Sequence, residues 1–160
     1  MLFTVKNHSG NLLVLIKLIG CKMEIYKHSR SSVGANRKHI QLTPKYRYKM
    51  MRKEKLKGFC RVAIEEACKK HGIVVEIIKV MDEHVHMIVD VPRTMSDAFA
   101  LQIIKGLSSY ILFRVCENLR KRYPKGHFWH EGYFCDGVGN SNYSATYDYI
   151  VNQQKHHAQN

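Results

Sequence analysis

A chain of 160 residues, 45% of them hydrophobic, builds one sizeable core and leaves too little for a second. Its 26 Lys and Arg against 13 Asp and Glu give a formal charge of +13, which points to a polyanionic partner, nucleic acid first, although a merely solvated basic surface has the same composition. Five cysteines, at positions 21, 60, 68, 116 and 135, form no Cys-x-x-Cys pair, which excludes a zinc ribbon and a disulfide scaffold and fits reduced thiols in a cytoplasmic protein.

The first apolar run, residues 12–19, is broken by Lys17 and is shorter than the roughly 20 residues a bilayer span needs, so no membrane partner is expected. Cys21 behind Leu18, Ile19 and Gly20 is weakly similar to a lipoprotein cleavage site; an upstream extension with Met23 as the functional start is the simpler explanation. Residues 28–36 are polar and look like a loop or tail. Residues 1–36 are therefore read as a partly flexible N-terminal extension and residues 37–160 as a single domain.

A first strand begins at Arg37 and ends near Pro44. The period then changes: Leu56, Phe59, Cys60, Ala63, Ile64 and Ala67 recur at helical spacing, and Gly72 stops an amphipathic helix of about five turns. Residues 73–81 and 84–91, joined at Asp82-Glu83, read as a β-hairpin that ends before Pro92. Ser96 can cap a long helix whose buried stripe is Phe99, Ile103, Ile104, Leu107, Ile111 and Val115, running to Tyr123-Pro124. Residues 128–135 read as a further strand. Gly137 and Gly139 break that pattern, and Ser141 or Asn142 can cap a last helix to about residue 157. The order β-α-β-β-α-β-α predicts an α+β fold, a ferredoxin-like (RRM-like) sandwich: an antiparallel sheet with helices on one face and an extra C-terminal helix.

In the segment His84-Val85-His86-Met87-Ile88-Val89-Asp90-Val91, Val85, Met87, Val89 and Val91 alternate and should face the helices. His84 and His86 then share the other face, about 6.5–7 Å apart at the backbone, either as solvent-facing histidines or as half of a metal site. The last helix carries Tyr143, Tyr147 and Tyr149, any of which can be a packing aromatic. Only Tyr149 has a metal-binding side chain one turn later, Gln153; if the helix docks beside the histidine strand, Gln153 completes a three-ligand site and brings the Tyr149 hydroxyl next to it.

Five segments, QLTPKYRYK at 41–49, DEHVHMIVDVP at 82–92, IIKGLSS at 103–109, FWHEGYF at 128–134 and YIVNQ at 149–153, resemble the HUH single-tyrosine transposases of the insertion-sequence 200/605 group, over about residues 37–155. The resemblance implies a DNA transposase in which His84, His86 and Gln153 hold a divalent cation, Mg²⁺ first with Mn²⁺ possible, and Tyr149 is the nucleophile. It further implies single-stranded DNA hairpins as substrate, a 5′-phosphotyrosine intermediate and a homodimer, with Tyr149 of one protomer serving its own histidines or those of its partner. Gly137 and Gly139 are then the candidate hinge, or an ordinary turn, although GVGN at 137–140 departs from the family's small-residue run there. Lys45, Arg47, Lys49, Arg52, Lys53 and Lys105 are the candidate DNA-backbone contacts, or solvated cations. Two rivals stand beside this reading: a non-catalytic DNA- or RNA-binding module whose exposed aromatics stack bases, and a metal-dependent phosphodiesterase that uses water.

Overall fold

Strand alternation and helical period act on separate stretches of this chain, and each builds its own layer. The computed structural model describes the backbone of residues 2–6, 12–16, 25–28 and 33–157, and the side chains of residues 34–152. Four short strands, β1 (Leu2–Lys6), β2 (Leu12–Ile16), β3 (Ile25–His28) and β4 (Val33–Gly34), pair in sequence order as an antiparallel sheet. The polar stretch read as a loop at 28–36 thus contains a strand, because Lys27 and His28 pair with Gly34 and Val33. Cys21 and Met23 lie outside the described residues.

The larger sheet follows. Its elements are β5 (Arg37–Leu42), α1 (Glu54–Lys70), β6 (Val74–Val80), β7 (Val85–Asp90), α2 (Asp97–Val115), the single turn α3 (Leu119–Arg122), β8 (Phe134–Gly137) and α4 (Asn140–His157). The strand order is β6-β7-β5-β8 with every pairing antiparallel, as expected for a ferredoxin-like sandwich. Val85, Met87, Val89 and Val91 are buried with Ile40, Leu42 and Ile78 in one cluster that includes Cys60, Ala63 and Ile64 of α1 and Ala100, Leu101 and Ile104 of α2. Each such aliphatic side chain contributes about 1.5–3 kcal/mol by leaving water. Ile88 and Ile150 are fully buried yet lie outside that cluster. They belong to the opposite face of the sheet, where α4 touches β6 and β7.

One residue breaks the alternation of β6. Val75 pairs with Val89 and Ile77 with Ile88, so Glu76 is an extra residue, a β-bulge.

Long-range packing corrects the reading of α2 and that of residues 128–135. α2 ends at Val115, not at Tyr123, because the chain leaves helical dihedrals at Cys116 and turns back through α3. The reversal carries Leu119 and Tyr123 into the core, where Tyr123 packs against Phe113 and Phe128. The buried stripe of α2 is also rotated: Phe99 and Val115 are half exposed, whereas Ser108 is fully buried and accepts the Trp129 indole N–H at 2.8 Å. That Trp129 is not in a strand is the second correction. Only Phe134–Gly137 pairs with β5; Phe128 and Trp129 fill the space beneath α2, and Trp129 makes a single bridge to Pro44. By length and hydropathy α2 meets the criterion for a membrane span, but it packs on α1 as the core helix of the sandwich.

Ser96 caps α2 as predicted, its Oγ accepting the Phe99 N–H at 3.2 Å. Ser96→Ala should cost about 1 kcal/mol, seen as a thermal midpoint lower by roughly 2–4 °C, whereas Ser96→Asp should leave the midpoint within about 1 °C. At α4 neither Ser141 nor Asn142 is the first residue: the helix starts at Asn140, and the Asn140 side chain accepts from Arg37 at 3.0 Å.

Candidate active site

Register places the chemistry on the face of the sheet away from α1 and α2. Across β5 and β7, Arg37 lies opposite Asp90, His39 opposite Ile88, and Gln41 opposite His86. Lys79 of β6 is paired with His86 from the other side, and Asp136 and Phe134 of β8 lie opposite His39 and Gln41. Paired residues share a face, so a row of polar side chains lies beneath α4.

His84 sits just before β7 and His86 inside it. Their ring centroids are 4.9 Å apart with planes almost perpendicular, and both are buried, at 8% and 3% exposure. The alternative of two solvent-facing histidines therefore falls. Buried imidazoles need polar partners, and one partner is His39, which sequence reading passed over. Its Nε2 is 3.1 Å from His86 Nδ1, within hydrogen-bond reach, and the ring centroids are 5.3 Å apart. Burial pushes the His39 pKa below its ordinary value, although nearby Asp136 pulls it back up. The signal was present: in Arg37-Lys38-His39-Ile40-Gln41 the odd positions share a face by the same alternation that groups His84 and His86.

α4 separates its three tyrosines. The Tyr149 ring is 5.9 Å from His86 and 6.4 Å from His39, and it is about half exposed. Its neighbour Ile150 is fully buried and anchors the turn. Tyr143 stands at the other end of the row under the Arg37 guanidinium, 4.8 Å from the ring centre, and Tyr147 packs on Tyr143. Burial, with Glu76 adding to it, pushes the Tyr143 hydroxyl up to about 12, and its place under Arg37 keeps it away from the histidines.

Gln153 follows Tyr149 by one helical turn in the backbone of α4; its side chain lies outside the described residues. Among the described residues no group of three His, Cys, Asp or Glu is placed to hold a metal. His84 and His86 nonetheless fit half of such a site, as two buried imidazoles on adjoining backbone with their rings converging. Among the described residues the further donors are of another kind, leaving room for an amide, a phosphate oxygen or water.

The sequence profile described as "Transposase IS200 like" matches residues 32–153. The chain belongs to this family. Two curated relatives, the transposases for insertion sequence element IS200 of Salmonella typhimurium (strain LT2) and of Salmonella typhi, are each 30% identical over 115 residues, which is 72% of this chain and 74% of each relative. Two solved structures share the fold. A candidate transposase from Deinococcus radiodurans R1 has a TM-score of 0.64 at 21% identity, covering 79% of this chain and 97% of its own. The REP-associated tyrosine transposase bound to a REP hairpin has a TM-score of 0.58 at 16% identity, covering 82% and 73% respectively.

In this IS200-like transposase the basic segment from Lys45 to Lys53 leads away from the histidine end of the sheet. Leu42 pairs with Val85, so the chain beyond it runs past His84; Lys45–Arg47 and Met50–Arg52 then form two short 3-10 turns, and Met51 N–H donates to Asp82 O in the β6–β7 turn. Tyr46 and Arg47 both have left-handed dihedrals, φ 65° and 50°, which non-glycine residues adopt only at a cost. Lys45 and Lys105 approach Glu131 from two sides, Lys45 as an ion pair at 3.8 Å and Lys105 as a donor to its carbonyl at 2.9 Å. Arg47, Lys49, Arg52 and Lys53 are exposed. Gly137 closes β8 and Gly139 precedes α4, neither with a left-handed φ, so this join uses no dihedral reserved for glycine.

Proposed function

We propose that this transposase cleaves and rejoins single-stranded DNA at hairpin-marked ends of an insertion sequence, with Tyr149 as the nucleophile. The observation that carries the reading is the approach of the Tyr149 ring to His86. His84 and His86 are the proposed protein ligands of a divalent cation, Mg²⁺ first and Mn²⁺ as the alternative, with Gln153 as the third. Such an ion, when bound, supplies positive charge that polarises a phosphate oxygen and aligns the phosphodiester.

The chain's own residues do the rest. Tyr149 Oη attacks phosphorus, the bond from phosphorus to the 3′ oxygen breaks, and the phenolic proton ends on that oxygen through solvent. The products are a 5′-phosphotyrosine and a free 3′-OH. A phenol, with an unperturbed pKa of about 10, is a far better leaving group than an alcohol, so a 3′-OH can reverse the step and rejoin the strand without ATP. Lys79, paired beside His86, adds positive charge on the face where the phosphate must sit. The hairpin substrate is supported by the fold shared with a transposase bound to a REP hairpin. A homodimer, HUH-type chemistry and catalysis within residues 37–160 complete the reading, with cis or trans pairing of Tyr149 and the histidines as its two versions.

The test is incubation with a hairpin-bearing DNA strand and Mg²⁺ or Mn²⁺, followed by a denaturing gel. A protein–DNA adduct that needs the cation supports the reading; cleavage with no adduct points to activated water, and metal-independent binding alone points to a non-catalytic module. For the basic segment, Lys49→Ala with Arg52→Ala should weaken hairpin binding and reduce the slope of log affinity against log salt by about two, one for each phosphate contact removed. An unchanged slope would assign both residues to solvent.

A further inference from the structure

A ligating imidazole offers one nitrogen to the ion and is oriented by whatever holds the other. In His86 the structure makes that choice. Nδ1 of His86 lies 3.1 Å from Nε2 of His39, and the two rings lie edge to edge, their centroids 5.3 Å apart and their planes 27° apart. His39 is itself fixed, since its edge meets Phe134 at 5.2 Å and Asp136 lies opposite it on the paired strand. With Nδ1 engaged, only Nε2 of His86 can serve a cation.

We propose that His39 is a positioning residue that selects the ligating nitrogen of His86. The proposal rests on the reading of His84 and His86 as metal ligands. For His86 to present a lone pair at Nε2, its proton must sit on Nδ1 and be donated to His39 Nε2; His39 then carries its own proton on Nδ1. The same hydrogen bond holds the His86 imidazole against rotation about χ2. Both effects act before any DNA arrives, so they belong to metal binding and not to strand transfer.

The experiment is Mn²⁺ binding to the full chain without DNA, followed by the electron paramagnetic resonance signal of free Mn²⁺, for wild type, His86→Ala, His39→Leu and His39→Gln. His86→Ala should abolish binding. His39→Leu, which fills the space and accepts nothing, should weaken it by about 10- to 100-fold. His39→Gln, whose amide oxygen reaches roughly where Nε2 stood, should bind within about threefold of wild type. Rescue by Gln is the outcome a purely space-filling role does not give. If His39→Leu binds like wild type, or if His39→Gln is as weak as His39→Leu, the proposal is overturned; the second outcome would make His39 a direct ligand or a packing group. If His86→Ala binds like wild type, the ligand reading fails and the positioning role falls with it. Trp129 fluorescence on each variant reports whether the core is intact, and the Gln variant carries the test should the Leu variant unfold.

Discussion

Tyr149→Phe should abolish the covalent DNA adduct and lower strand cleavage by at least about three orders of magnitude, with hairpin affinity within about twofold of wild type. The substitution removes one oxygen and keeps the ring that faces His86 and His39. Because Tyr149 is 47% exposed and Ile150 anchors the turn, stability should change by less than about 0.5 kcal/mol. Tyr147→Phe and Tyr143→Phe are the controls. Tyr143 lies under Arg37 at the far end of the row and Tyr147 packs against it, so neither change should remove the adduct. An adduct that survives Tyr149→Phe and disappears with Tyr147→Phe would move the nucleophile by two residues, and a denaturing gel distinguishes the two outcomes directly.

Arg37→Leu should be the most destabilising single change on the site's side of the sheet. The guanidinium is 6% exposed; its Nε donates to Glu76 Oε1 at 2.8 Å, its Nη1 to Asn140 Oδ1 at 3.0 Å, and its plane lies over Tyr143. Three elements, β5, β6 and α4, are tied together by this one side chain. Its removal leaves the Glu76 carboxylate in a poorly solvated position, which costs about 3–5 kcal/mol for a fully buried partner. Glu76 keeps 18% exposure, so the lower end applies, about 3 kcal/mol or a thermal midpoint lower by roughly 10 °C. Arg37→Leu combined with Glu76→Leu should recover much of the loss, because no charge is then stranded. Thermal unfolding of the two singles and the double gives the coupling; additive losses would show that the two charges are not coupled. Strand cleavage should fall in the single variant as well, since α4 carries Tyr149.

Local pattern revealed the frame of this molecule. Alternation in residues 84–91 sorted the valines from the histidines, and the four-residue interval from Tyr149 to Gln153 picked one tyrosine of three. What local pattern missed depends on contacts between distant residues. Ser108 is buried because Trp129 reaches it from 21 positions away, and that contact, not the apolar stripe, sets the rotation of α2. Phe128 and Trp129 look like strand residues until the space beneath α2 is seen to need filling. Arg37 reads as the first basic residue of a strand, and only its bond to Asn140, 103 positions on, makes it a fastening for the tyrosine helix. His39 was within reach of the alternation rule, but a lone histidine beside a lysine gave no reason to apply it.

The bulge at Glu76 has a consequence for how the parts of this protein can change. Pairing runs from Val75–Val89 directly to Ile77–Ile88, so the ladder is continuous without Glu76, and every other pair keeps its place if that residue is deleted. β6 therefore carries two separable parts, a ladder that the sandwich requires and an inserted carboxylate that holds Arg37. Deletion of one codon separates them, leaving the scaffold whole while the tyrosine helix loses the anion to which Arg37 is bound. Chemistry in this fold is thus modular at the scale of a single residue.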